Sequence, residues 1–259
     1  MSEITISSPG LVLASGFEIL LPFILSFIWI KKYNATISPI LIGIIGFIGS
    51  VFVEGLFALL LTQIFDKNSI IITIIGRISP GLFEETGRYI CLSYIFSNNK
   101  LKNVSVSYGI GHGGIESIFI GLIFATGFFT KDVLIEKGYL NESITLYTCL
   151  ISICERLFAV IIHISLSVIV YKAVKEKVII YYIASIIIHD LIDFFPFLRN
   201  KKIINSIIII EIIIGLLSIC LGYYSHKLYI NLEEIKEEEN VNLIPLANMK
   251  ESSLIREYE

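Results

Sequence analysis

PILIGIIGFIGSVFVEGLFALLLTQ, residues 39–63, decides what kind of protein this is. It carries a single ionisable side chain, Glu54, in a run as long as a bilayer is thick. A helix rising about 1.5 Å per residue needs roughly 20 apolar residues to cross the hydrocarbon core. Outward from this block the pattern recurs at 9–30, 69–97, 104–128, 144–171, 178–198 and 203–225, with short polar connections such as SNNKLKN and YKAVKEK. These blocks predict an all-α fold, a polytopic membrane bundle of about seven transmembrane helices.

The whole chain agrees with that block. Its 259 residues are 55% hydrophobic and 17% charged, with mean hydropathy +0.80, where a soluble domain carries about 25% charged residues. A soluble fold is ruled out, and a net charge of -3 gives no reason to expect nucleic acid. Cys91, Cys149, Cys154 and Cys220 lie in apolar blocks without paired spacing. They are expected to be buried small hydrophobes rather than a disulfide framework or a zinc site. The start, MSEITISSPG, has no basic region before its apolar block, which therefore reads as a retained span rather than a signal peptide. Residues 1–228 read as one transmembrane domain, and 229–259, containing NLEEIKEEEN, as an acidic polar tail, cytoplasmic and partly disordered. Lys and Arg are more numerous in the loops on the tail's side, Lys31, Lys100, Lys102 and Lys172 among them, which favours an N-terminus outside; RNKK at 199–202 opposes it.

Charges inside the spans carry the functional signal. One at mid-bilayer costs about 2.5–3.5 kcal/mol on insertion scales, so it must face the bundle interior and by default marks function. The third block contains GRISPGLFEETGRYI, with Arg77, Glu84, Glu85 and Arg88; the fourth contains SYGIGHGGIES, with Tyr108, His112 and Glu116. The fifth has CERLFAVIIH, with Glu155, Arg156 and His163, and the sixth HDLIDFF, with His189, Asp190 and Asp193. Glu84 and Arg88, His112 and Glu116, and His189 and Asp193 are each four apart, on one helix face; Arg156 and His163 are seven apart.

Depth joins these faces. Counted from the lysines that end the blocks (Lys100, Lys102, Lys172 and Lys177), Glu84 is 16 residues in, His112 10, His163 9 and His189 12. At about 1.5 Å per residue all four lie roughly 14–24 Å from one membrane face, whichever way the protein is oriented. Four helices offering polar side chains at one depth imply a single site. Carboxylates and imidazoles in a confined cavity are what activation of a water molecule requires. Of Glu84 and Glu85, one is expected to bond Arg88 and the other to remain available for proton transfer. Gly109, Gly111, Gly113 and Gly114 would permit close approach by a neighbouring helix or an extended substrate. Pro80 is expected to kink or break the third span.

At these residues the sequence resembles the YhfC family of intramembrane peptidases, related to PrsW and to the CAAX-protease and bacteriocin-processing (CPBP) superfamily. The resemblance covers roughly 75–200, and EETGR with GIGHGGIE is its most specific part. Against the superfamily's EExxxR, FxxxH and HxxxN/D motifs, this chain has EETGR, Tyr108-x-x-x-His112 and His189-x-x-x-Asp193. Arg88 is one residue closer than in the CAAX-type pattern, and Tyr108 replaces Phe. The resemblance implies catalytic roles for Glu84, Glu85, Arg88, His112, His189 and Asp193. Glu84 would be the general base, His112 would position the water, and His189 with Asp193 would stabilise the oxyanion. Tyr108, Glu116, Arg156 and His163 would support them. It also implies a bacterial cell-membrane location and a membrane-embedded or membrane-proximal peptide substrate. Glutamate-dependent and metal-dependent hydrolysis both stay open, since Glu84, His112, His163 and His189 could include three Zn²⁺ ligands.

Plainer readings stand beside this one. Glu18, Glu54 and Glu211, single carboxyls in the first, second and last spans, read as structural groups joining helices. Glu155 and Asp190 read as partners of better-placed neighbours, and Ser117, Ser152, Ser165 and Ser167 as backbone-bonded packing groups. The same polar groups would serve a proton- or ion-coupled transporter, a bis-histidine haem site, or a non-catalytic membrane scaffold or immunity protein. The hydrolase reading requires Glu84 within about 10 Å of His112 or His189.

Overall fold

The structure is a computed structural model that describes residues 5–66, 69–96, 103–137 and 143–255. The first four residues and the loop lysines Lys100 and Lys102 used above lie outside the described residues. Among the described residues seven helices follow in order: α1 Ser8–Tyr33, α2 Ser38–Ile64, α3 Ile70–Ile95, α4 Asn103–Glu136, α5 Leu146–Glu176, α6 Ile180–Asn200 and α7 Ile207–Ile255. Among the described residues there is no strand, only an isolated parallel bridge between Ile6 and Ile144.

Local chemistry sets several boundaries. Ser7 and Ser69 accept hydrogen bonds from the first turns of α1 and α3, satisfying backbone donors that a helix start leaves orphaned. Thr145 and Thr148 cap α5 reciprocally. Asn34 ends α1 in the left-handed conformation (φ 48°), which Asn tolerates better than most residues. Pro80 lies inside α3 without breaking it; the helix is continuous from Ile70 to Ile95.

Among the described residues six helices have a stretch long and apolar enough to cross a membrane, in α7 the portion Ile207–Leu232. The exception is α3, expected as a span like the rest. It has the length, at 26 residues, but every 18-residue window of it contains at least three of Arg77, Glu84, Glu85 and Arg88. Its neighbours resolve the difference, because Glu84, Glu85 and Arg88 are buried in protein, not presented to lipid.

α4 and α5 lie side by side at the centre. α1 and α2 pack on α4, α7 packs on α5, and α3 joins α2 to α6 while also touching α5. Ile162, Leu166, Ile169, Ile192, Ile210 and Ile214 form one apolar core between α5, α6 and α7; Leu92, Tyr108, Val170 and Tyr171 form another between α3, α4 and α5. Large apolar side chains such as Phe23, Phe52, Leu60, Ile187 and Leu216 are exposed on the outside, where lipid rather than water would meet them. Gly111 permits the closest approach: a Cβ there would overlap the backbone of Ile40 on α2. Of the cysteines, all free, Cys149 is buried and Cys91 half-buried, but Cys154 and Cys220 are exposed, contrary to the expectation of burial. Apolar surroundings in a membrane bundle need not mean the interior.

Candidate active site

α3, α4, α5 and α6 bring Glu84, Glu85, Arg88, His112, Glu116, His163, His189 and Asp193 together. Glu84 Oε2 lies 3.0 Å from His112 Nε2 and 3.9 Å from His189 Nε2. The imidazoles form a row, with ring centroids 5.0 Å apart for His112 and His163 and 5.3 Å for His163 and His189. All three histidines are buried, His112 completely. Phe47 of α2 sets its ring edge-on to His112 at 5.1 Å, and Tyr108 packs one turn away at 5.8 Å between centroids. A Cβ on Gly113 would collide with the His163 side chain, so this glycine lets α4 and α5 approach where the imidazoles meet.

The two adjacent carboxylates have separate partners. Arg88 Nη1 donates to both oxygens of Glu85 at 2.7 Å, and His189 Nδ1 lies 2.8 Å from Glu85 Oε1. Spacing had grouped Arg88 with Glu84, four residues away; the structure pairs it with Glu85, three away. Neighbouring residues on a helix point about 100° apart. One carboxylate therefore faces Arg88 and His189 while the other faces His112. Both Glu85 and Arg88 are fully enclosed, and a carboxylate so buried must be paired to remain charged.

Glu116 does not pair with His112 on its own helix. It reaches α5, where Oε1 accepts from Arg156 Nη1 at 2.7 Å and Oε2 lies 2.6 Å from His163 Nε2. Arg156 also donates to Glu155 Oε1 at 2.8 Å, and Arg88 Nη2 lies 3.1 Å from His163 Nδ1. Sequence spacing shows each residue of this chain but not the links, because every link except Arg156–Glu155 crosses between helices. Phe47 was missed altogether: in a span otherwise apolar, nothing distinguishes it. Asp193 Oδ2 lies 3.6 Å from His189 Nε2 and is the more exposed of the two.

Glu84, Glu116, Glu155, Arg156, His163, His189 and Asp193 line a partly open cavity of about 100 Å³, whose apolar lining is Ala159, Ile162, Ile192, Pro196 and Ile214. Water occupies about 30 Å³ per molecule in the liquid, so the space suits a few waters beside Glu84. Glu84, His112 and His163 each offer a ligand atom, and these atoms lie within 4.8 Å of one another. Carboxylate oxygen and imidazole nitrogen are a donor set that suits Zn²⁺.

Other polar residues noted in the sequence stand apart. Arg77 lies over the Phe197 ring at 5.4 Å, and Asp190 packs against Gly81. Glu54 accepts from Ser79 Oγ at 2.7 Å. Ser117, Ser165 and Ser167 donate to backbone carbonyls as expected, but Ser152 donates to the Glu18 side chain at 2.9 Å.

The family model of the YhfC intramembrane metalloproteases matches residues 17–214, more than half of the chain and all of the polar centre. The uncharacterized membrane protein YhfC of Bacillus subtilis (strain 168) is 28% identical over 244 residues, covering 84% of this chain and 94% of that protein. No solved structure matches.

Proposed function

Since the chain belongs to the YhfC intramembrane metalloprotease family, we propose that it is a multi-pass membrane endopeptidase that hydrolyses a peptide bond with a water activated beside Glu84. The observation that carries this reading is the setting of Glu84: its Oε2 lies 3.0 Å from His112 Nε2 and 3.9 Å from His189 Nε2, at the wall of a water-sized cavity. Its neighbour Glu85 is committed to Arg88 and His189, which leaves Glu84 as the carboxylate able to accept a proton.

In this mechanism Glu84 takes the proton of a water in the cavity while His112 holds the carboxylate in orientation. The hydroxide formed attacks the scissile carbonyl. His189, held at Nδ1 by Glu85 and with Asp193 beside its Nε2, would donate to the developing oxyanion. Glu84 then returns the proton to the leaving amine, which closes the cycle. Glu84 and His112, with a further imidazole, would hold a Zn²⁺ ion; the chemistry such an ion supplies is a water of lowered pKa and a polarised carbonyl. The substrate is a peptide or protein segment in or beside the bilayer, and the proposed orientation keeps the N-terminus outside and the tail in the cytoplasm.

The test is to compare purified wild-type protein with Glu84→Gln and His112→Ala. Cleavage of membrane peptides should be lost in both, with helical content and elution profile unchanged. A scaffold would keep its function through both substitutions, and a transporter would show carboxylate-dependent flux in proteoliposomes without cleavage. Metal content before and after chelation, read against activity, separates metal-dependent from glutamate-dependent hydrolysis.

A further inference from the structure

An open groove of about 560 Å³ runs along the outer seam between α5 and α7. α5 lines it with Ile151, Cys154 and Phe158, and α7 with Ile208, Ile212 and Gly215. Spacings of three and four residues put each set on one helix face. A Cβ on Gly215 would meet the Phe158 ring, so the two helices approach closely at the floor of the groove. The catalytic cavity lies on the other side of this seam. Its walls include Glu155 and Ala159, each next in sequence to a groove residue of α5, and Ile214, next to Gly215.

Glu211 is the one carboxyl among the residues described along the groove. Read from the sequence as a group joining helices, it makes no hydrogen bond among the described residues, and its Oε2 is buried. Two arginines come within electrostatic reach. Arg156 is already held by Glu116 and Glu155, and Arg199, at the exposed end of α6, is not bonded to it. A buried acceptor without a donor is costly, and an ionisable side chain in a span calls for a partner. Depth narrows what that partner is. Glu211 is four residues into α7, about 6 Å along the axis from Ile207. At that level an apolar span can carry Lys or Arg at small cost, because the long side chain reaches the interface.

We propose that the α5–α7 groove docks an apolar helix of the substrate, and that Glu211 binds a Lys or Arg at the end of that helix nearest the start of α7. The proposal rests on the hydrolytic reading above and deepens it by naming a substrate class, apolar spans flanked by a basic residue. Contact with the two outward faces holds the span, and Glu211 sets its register. Ile214 is less than one turn from Glu211, so the chain adjoining the basic residue comes to lie beside the cavity wall. Glu211 is thus a specificity-determining residue outside the chemistry.

The test uses the full chain with Glu84→Gln, which keeps the peptide intact, in proteoliposomes. The probe is a synthetic helix with an apolar span of about 20 residues, Lys at one end and Cys about one turn deeper. Under mild oxidation the peptide should be trapped as a disulfide on Cys154, and Cys154→Ser should abolish the product. Glu211→Gln should weaken peptide binding by about tenfold or more, the loss expected of a charged hydrogen bond, while a peptide with Gln in place of Lys binds both proteins alike. Glu211→Lys should reverse the preference, favouring a peptide with Glu at that position. Binding that ignores charge at both positions would overturn the proposal. So would a Cys154–Cys154 dimer in place of the trapped peptide, which gives the groove to a second copy, or lipid co-purifying with no trapping, which gives it to lipid. Trapping as expected, with no cleavage of the same peptide by the wild-type chain, would defeat the hydrolytic reading and leave the docking site standing.

Discussion

Glu18 on α1 and Glu85 on α3 are equally inaccessible to solvent. Glu18 meets one hydroxyl, Ser152 Oγ at 2.9 Å, and its second oxygen has no partner among the described residues. Glu85 binds a guanidinium through both oxygens and an imidazole through one of them. Burial by itself therefore does not mark the site. Glu18 can be accommodated as a neutral acid hydrogen-bonded across two helices. Glu85 is built as an anion between a guanidinium and an imidazole, and its neighbour Glu84, beside His112, is left at the wall of the cavity. A carboxyl that only joins helices needs one partner; a carboxyl that takes part in chemistry needs a surrounding that fixes its neighbours as well.

That contrast can be pressed by substitution. The largest effect is expected at His112→Ala, which strips Glu84 of its close imidazole. Cleavage should fall by about 10³-fold, within the range of a lost acid–base group, while a thermal-shift assay in detergent moves little. Arg88→Met should act on stability as much as on activity. It leaves Glu85 without its guanidinium in a fully enclosed position, a loss of about 3–5 kcal/mol by the precedent of broken buried pairs, visible as a lower unfolding midpoint. Gly111→Ala comes next. Its methyl would press on the Ile40 backbone, and overpacking of this kind costs about 1–3 kcal/mol, read in the same assay. Smallest is Glu18→Gln. The amide carbonyl still accepts from Ser152, so stability should change by no more than about 1 kcal/mol and cleavage should stay within about twofold of wild type. A collapse of cleavage in Glu18→Gln would erase the distinction between the two carboxylates.

The helices were legible because their apolar blocks match bilayer thickness; the block edges fall within a few residues of the ends of α1, α2, α3 and α6, whereas α4, α5 and α7 continue past theirs, α7 as far as Ile255 through the stretch expected as a polar tail. What those blocks conceal is direction. Cys154 and Cys220 read as interior from composition and lie exposed, since lipid and protein core favour the same side chains. The meeting of Glu84, His112, His163 and His189 was legible from shared depth, an argument that needs only the rise per residue. Which of Glu84 and Glu85 takes Arg88 was not, because both lie within one turn of it and the choice is made by His189 from α6. The bridge from Arg156 through Glu116 to His163 was hidden for the same reason. It joins α4 to α5, and no spacing within one helix encodes a contact between two. α3 is the reverse case: its charges make it the least membrane-like helix by composition, and they are the reason it belongs at the centre of the site.

The central claim is that Glu84 activates a water for peptide hydrolysis. It is tested most directly by incubating purified wild-type and Glu84→Gln protein in proteoliposomes with membrane peptides in H₂¹⁸O and analysing the products by mass spectrometry. The account predicts fragments from the wild type whose new C-terminal carboxylate carries ¹⁸O, and none from Glu84→Gln. Equal cleavage by the two proteins, or no cleavage by the wild type with or without added Zn²⁺, would contradict it.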